Sequence, residues 1–430
     1  MAGGSRTSFL RRVAVDVQSL RYPDFRRLFV RQGVAFVGFQ LTAVAVAVQM
    51  YDVTGSSLWV GLLGVAALVP LVVLGLYGGS VSDAVDRRTL LVSASLAAWA
   101  VTGALFVQAL VSDGDRWVLL ALVALQSAAF AMSSPTRGAL VPRLLPLELV
   151  PAGNTLNFTM SNFGSVLGPL IAGVVLVHGG YAWAYGIDAA LFTAGLYAAL
   201  RLPSMRPLGE TVRPGLRSVL AGLAFIGTRP VLLMSFVVDI IAMLFGMPRA
   251  LFPEIAHLDF GGSDEGGLVF ALLFAAIPAG AVLGGVFSGW VSRVHRQGLA
   301  VIVCILVWGF AMIGFGLAVG LADRWQGPML LVSLAMLVIG GAADMASAAF
   351  RTSMLLSAAT DEMRGRLQGV FIVVVAGGPR VADVLHGAAA AAVGTAAAAA
   401  GGGVLVVIGT VIAALAVPSF VRYRITRTAT

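Results

Sequence analysis

Long apolar runs separated by short polar breaks recur from about residue 32 to residue 421. Each is about 20 residues long, which is what an α-helix needs to cross a bilayer core. They predict helices over 32–52, 58–80, 88–111, 117–138, 153–178, 181–202, 230–251, 266–291, 298–321, 327–350, 366–391 and 401–421, twelve in all. The alanine-glycine tract at 387–403 blurs the last two. The longest polar interruption, 203–229, holds Pro203, Pro207 and Pro214 together with Arg206, Arg213, Arg217 and Arg229. It divides six spans from six. The expectation is an all-α polytopic membrane protein built as two pseudo-symmetric six-helix bundles, 32–202 and 230–421. A segment 1–31 precedes them and a tail 422–430 follows.

Composition excludes the soluble alternative. Of 430 residues, 59% are hydrophobic and 11% are charged, whereas a soluble domain carries about 25% charged residues. Every basic residue is arginine, and the net charge is +8. Arginines at the ends of apolar runs are a topology signal rather than a nucleic-acid footprint. With the N-terminus inside, all of the 28 except Arg116, Arg249, Arg324 and Arg380 fall in cytoplasmic segments. Both termini are therefore expected in the cytoplasm of a multi-pass cell-membrane protein. Residues 1–31 contain seven arginines and no long apolar core, so they read as a cytoplasmic lead-in and not a signal peptide. Cys304 is the lone cysteine and the histidines are scattered. That excludes an intramolecular disulfide and gives no metal-ligand spacing; no cofactor is expected.

Two motifs carry more specific information. Between the second and third spans lies Gly78-Gly79-Ser80-Val81-Ser82-Asp83-Ala84-Val85-Asp86-Arg87-Arg88. This Gly-x-x-x-Asp-x-x-x-Arg-Arg pattern resembles the corresponding loop of the major facilitator superfamily of transporters. A weaker copy at 284–296 has Gly289 in place of the acid. In the fifth span, Gly164, Gly168, Pro169 and Gly173 resemble the Gly-x-x-x-Gly-Pro-x-x-x-Gly element of exporters in that superfamily. The stretches 44–50, 135–140, 275–281 and 365–369 are similar to those of the bacterial enterobactin exporter family, which in turn resembles macrolide-efflux proteins. Ala84 departs from relatives that place arginine there. The resemblance implies a monomeric secondary exporter that rocks two halves about a midplane site. It implies a siderophore or similar small molecule as cargo, with a macrolide or other drug as the alternative. Gly79, Asp83, Arg87 and Arg88 would form a cytoplasmic latch. Lysine is absent and there is no phosphate-binding loop, so this chain cannot itself use ATP. A polytopic enzyme or a non-transporting receptor fits less well, because no nucleophile–base pair is visible and charges lie inside several spans.

Ionisable groups inside spans are costly and mark function by default. Asp239, Asp344, Arg380 and Asp383 fall in spans seven, ten and eleven, which line the central cavity in the superfamily. They are the candidates for coupling transport to protons. Asp239 has no partner nearby in sequence, which favours it as the proton carrier. Arg380 and Asp383 are three residues apart and would pair, and Asp344 could meet Arg351. Asp188, in span six, reads as structural. Gln40, Gln49, Gln126, Asn154, Asn157 and Asn162 offer hydrogen bonds to cargo from the first half, and Arg249 flanks the outer mouth with Glu254. Both Pro248 and Pro379 precede an arginine; the run Gly377-Gly378-Pro379 predicts that span eleven breaks there.

Overall fold

The computed structural model describes residues 18–84, 87–111, 114–146, 149–200, 224–261, 266–287, 294–358 and 361–424. Every regular element among them is helical. The long helices are α1 (Pro23–Thr54), α2 (Ser57–Ala84), α3 (Arg87–Val111), α4 (Arg116–Leu144), α5 (Val150–Leu200), α6 (Pro230–Gly246), α7 (Gly266–Val286), α8 (Gln297–Gly320), α9 (Gln326–Ala358), α10 (Asp361–Val393) and α11 (Thr395–Ala416). Ten stretches among the described residues are long and apolar enough to cross a membrane. One of them contains two expected spans, because α5 bends at Gly180, where φ is 68° and ψ −168°. Only glycine adopts that backbone without strain. α10 supplies the segment expected at 366–391, which completes the twelve.

Two helix starts differ most from the hydropathy reading. The first helix starts at Pro23, not at 32, so 23–31 belongs to the first bundle and not to a lead-in. Proline occupies the first turn, where its missing N–H costs nothing. Asp24 favours the positive helix end and accepts from Arg27 Nη1 at 3.1 Å. Phe25 and Leu28 are fully buried, Phe25 against Val141, Leu145 and Leu156 and Leu28 against Leu91. At about 1.5 Å per residue, the 32 residues of α1 outreach a ~30 Å hydrocarbon core. The blurred tract resolves at Gly394, with φ 84°, and the last helix starts at Thr395, not at 401.

The expected break is in the other Pro–Arg pair. α10 runs through Pro379, whereas span seven is interrupted: α6 ends at Gly246, followed by a 3-10 turn at Arg249–Leu251, one α-turn at Phe252–Glu254 and a π-turn at Ile255–Asp259. Met247, before Pro248, has φ −110° and ψ 86°, because a proline pushes its predecessor out of the helical region. In α10 that predecessor is Gly378, which lacks the Cβ that clashes.

α1–α5 form one bundle and α6–α11 the other; α1 packs most extensively on α5, and α8 on α9 and α11. The main contacts between bundles are α2 with α10 and α5 with α7. Where those contacts fall along the helices is set by glycine. Added Cβ atoms at Gly61 and Gly64 of α2 would meet the backbone of α10 at Asp383 and Arg380, and one at Gly387 would meet Ser57. One at Gly173 of α5 would lie 2.8 Å from the Gly267 carbonyl oxygen of α7. All of these lie toward the face opposite the one where α1 begins and α11 ends, called here the distal face. Nearer the terminal face the glycines seat helices of their own bundle: Gly33 against Met160, Gly164 against Phe36, Gly284 against Ala342. The described contacts thus close the molecule at its distal side.

Candidate functional site

Two charged groups occupy the second bundle. In the first, Arg351 of α9 forms an ion pair with Asp239 of α6, both almost fully buried. The same guanidinium lies 3.8 Å from Asp344 Oδ1, whose side chain is 36% exposed. Asp344 and Arg351 are two helical turns apart on one face of α9, so the arginine reaches back along its own helix. Asp239, which has no partner nearby in sequence, thus finds one in Arg351, placed by the apolar pattern just past the end of span ten and expected to meet Asp344 alone. A helix as long as α9 carries Arg351 into the core, and no local pattern could name a partner 112 positions away.

The second group lies at the seam between bundles. Asp383 of α10 pairs with Arg249 Nη2 at 3.9 Å and not with Arg380, its neighbour on the helix. The break in span seven explains the choice: by leaving the helix at Met247 the chain turns Arg249 toward α10. Arg380 and His386 are also within electrostatic reach of Asp383. On the other side of the seam, a Cβ on Gly64 would lie 3.2 Å from the Asp383 Cβ. Glycine in α2 thus makes room for the carboxylate. A further tie between bundles joins the Ser57 hydroxyl, as donor, to Glu254, and the Tyr51 ring meets His257 edge-on, 5.9 Å between centroids.

The polar residues expected to line the first half divide. Gln49 is buried and engaged: its Nε2 donates to Gln108 Oε1 at 3.3 Å and its Oε1 accepts from Tyr185 Oη at 2.7 Å. Gln40 packs against Gly168 in the α1–α5 contact. Gln126 Nε2 and Asn157 Oδ1 are buried without a hydrogen-bond partner among the described residues, and Asn162 is half-buried. Asp188 is fully buried and accepts from Thr42 at 2.5 Å and Thr102 at 3.5 Å, the structural role its position suggests. The exporter-type element has two tasks. Gly164 and Gly168 seat α1 of the same bundle, with Pro169 buried beside them, while Gly173 seats α7 of the opposite one. Of Gly79, Asp83, Arg87 and Asn154 only the helical backbone is described, and 85–86, 201–223 and 288–293 lie outside the described residues; Arg88 is half-buried at the start of α3.

A cavity of about 420 Å³ lies between the bundles toward the distal face, lined among others by Tyr51, Asp52, Tyr181, Pro253, His257 and Phe270. No cluster of three or more metal-ligating side chains occurs among the described residues.

The model of the transmembrane secretion effector family matches residues 16–423. The chain belongs to this family. As a secretion effector it is similar to the enterobactin exporters of Shigella boydii and Escherichia coli, 30% identical over 378 residues and covering 85% of each chain. Its fold is that of major facilitator transporters of known structure. A POT family transporter in complex with 5-aminolevulinic acid superposes with a TM-score of 0.72 at 12% identity, over 92% of this chain and 96% of that one. A bacterial homologue of the lysosomal transporter Spinster, in an inward-facing and unoccupied conformation, gives 0.69 at 16% identity, over 96% and 100%. The secretion effector is a membrane transporter and not an enzyme.

Proposed function

We propose that the protein is a proton-coupled exporter that moves a siderophore-like small molecule out of the cytoplasm by alternating access. The observation that carries this reading is the placement of its buried carboxylates. Asp239 and Asp383 each face an arginine on a different segment of the fold, so adding a proton to either weakens a tie between helices. A proton that changes helix–helix contact is what coupling requires, since a ligand shifts a conformational equilibrium only through differential interaction with its two states.

In this reading the terminal face is cytoplasmic, as the arginine distribution argues, and the closed distal side is the outer side, shut as alternating access requires before cargo loads. Cargo enters between the bundles. Arg351, held by Asp239 and within reach of Asp344, exchanges partners as protons arrive and leave. Rocking then opens the seam of α2–α10 and α5–α7. Gly79, Asp83, Arg87 and Arg88 close the cytoplasmic side in the opposite state. The cargo class rests on the similarity to enterobactin exporters; a macrolide is the second candidate. The protein works as a monomer in the plasma membrane.

The test uses proteoliposomes with an imposed proton gradient, following enterobactin and erythromycin in parallel for the native chain and Asp239→Asn. Gradient-driven movement of enterobactin that is lost in Asp239→Asn is expected. Movement of either compound that ignores the gradient in both proteins would remove proton coupling, and gradient-driven movement of erythromycin alone would reassign the cargo.

A further inference from the structure

The seam cluster holds more positive than negative charge. Arg249 and Arg380 both lie by Asp383, and that carboxylate's ion pair is with Arg249 at 3.9 Å. Arg380 has no carboxylate within 4.0 Å among the described residues. Arg249 Nε is buried and makes no hydrogen bond, and Asp383 Oδ1 likewise. One carboxylate cannot neutralise two guanidinium groups, and an uncompensated charge inside a membrane span is expensive.

The position of Arg380 is informative. It sits one helical turn from Asp383 on the terminal side, on the α10 face that meets α2. Its backbone carbonyl is the atom that a Cβ at Gly64 would approach to 2.7 Å. The α2–α10 contact continues one turn further, where Leu68 faces Gly377, so Arg380 lies within the seam and is only half-buried there. Met243 of α6 packs on Gly378 beside it and supplies an apolar wall.

We infer that Arg380, with Arg249 behind it, binds the anionic group of the cargo, a carboxylate or an acidic phenol on an otherwise apolar body. Guanidinium forks match such groups in geometry as well as charge. Beyond the seam the lining changes sign. The distal cavity carries Asp52, and Glu254 hydrogen-bonds to Ser57 on its inner side. An anion passing through that vestibule meets no guanidinium among its described lining residues, so it is not held there on its way out.

The inference rests on the export reading but can fail separately from it. Binding of 2-naphthoate and of its neutral isostere 2-naphthamide is measured on the full chain in nanodiscs by fluorescence. The native protein is expected to bind the acid saturably and about tenfold or more tighter than the amide, the difference one charge-assisted contact supplies. Arg380→Gln should abolish that preference, Arg380→Lys should retain part of it, and Arg116→Gln, which removes a guanidinium stacked 4.6 Å over Trp59, should leave it unchanged. Equal binding of acid and amide, no saturable binding of the acid, or a preference that survives Arg380→Gln would each overturn the inference. Enterobactin transport by the same native preparation, assayed separately, reports on the export reading. Should Arg380→Gln not fold, the native acid–amide ratio and Arg380→Lys still decide.

Discussion

Asp239 and Arg351 share one of the most buried polar contacts in the second bundle. Removing the Asp239 charge leaves the buried Arg351 with only its longer contact to Asp344, at a cost approaching the about 3–5 kcal/mol of a buried pair broken outright. Asp239→Asn is therefore expected to lower the thermal unfolding midpoint of the purified protein markedly. Asp239→Asn combined with Arg351→Gln should recover most of the loss, because two neutral amides can satisfy each other. A double variant no more stable than the single would show that the pair is not the source of the effect. At this scale the sequence was half legible. An aspartate in an apolar run announces itself, but its partner is chosen by how helices lie against one another. Asp239 found Arg351, which the apolar pattern places just past the end of span ten; Asp383 turned from Arg380, its neighbour on the same helix, to Arg249, which a proline break delivered.

Individual helices were read well where hydropathy alone defines them, as in α3 and α8, whose ends agree within a residue. The reading failed where a helix runs beyond the apolar stretch. α1 extends through an arginine-rich turn because Phe25 and Leu28 bury its inner face, and α9 continues past 350 because Arg351 and Met354 are buried. Glycine spacing was legible as close packing, but not which bundle each glycine would seat. That division makes a testable contrast. Gly64→Val places a side chain against the α10 backbone across the seam, whereas Gly168→Val places one against α1 within a bundle. Spin labels at Val53 and Leu258, exposed near the distal ends of α1 and span seven, in a Cys304→Ala background report the opening of the distal side. Gly64→Val is expected to lengthen their mean separation. Gly168→Val should leave it unchanged and instead cost about 1–3 kcal/mol of stability through overpacking. Identical distances in both variants would contradict the assignment of Gly64 to the moving seam.

At the scale of the whole molecule, two bundles meet through a glycine seam on the distal side, with Asp383 and Arg249 of the second bundle at that seam and the Asp239–Arg351 pair of the same bundle nearer the terminal face. Family and fold follow from the chain's length of matched sequence and its superposition on transporters; the twelve-span plan was already written in the hydropathy pattern, because lipid admits little but helices of this length. What drives the movement is the central claim, and coupling is reciprocal by thermodynamic necessity: if protons drive cargo, cargo must drive protons. The direct measurement loads proteoliposomes with enterobactin and a trapped pH-sensitive dye, with no pH gradient imposed, and follows the lumen as cargo flows out. The account predicts that the lumen acidifies as enterobactin leaves, and that Asp239→Asn abolishes the acidification. Enterobactin efflux through the native protein with an unchanged lumenal pH would contradict it.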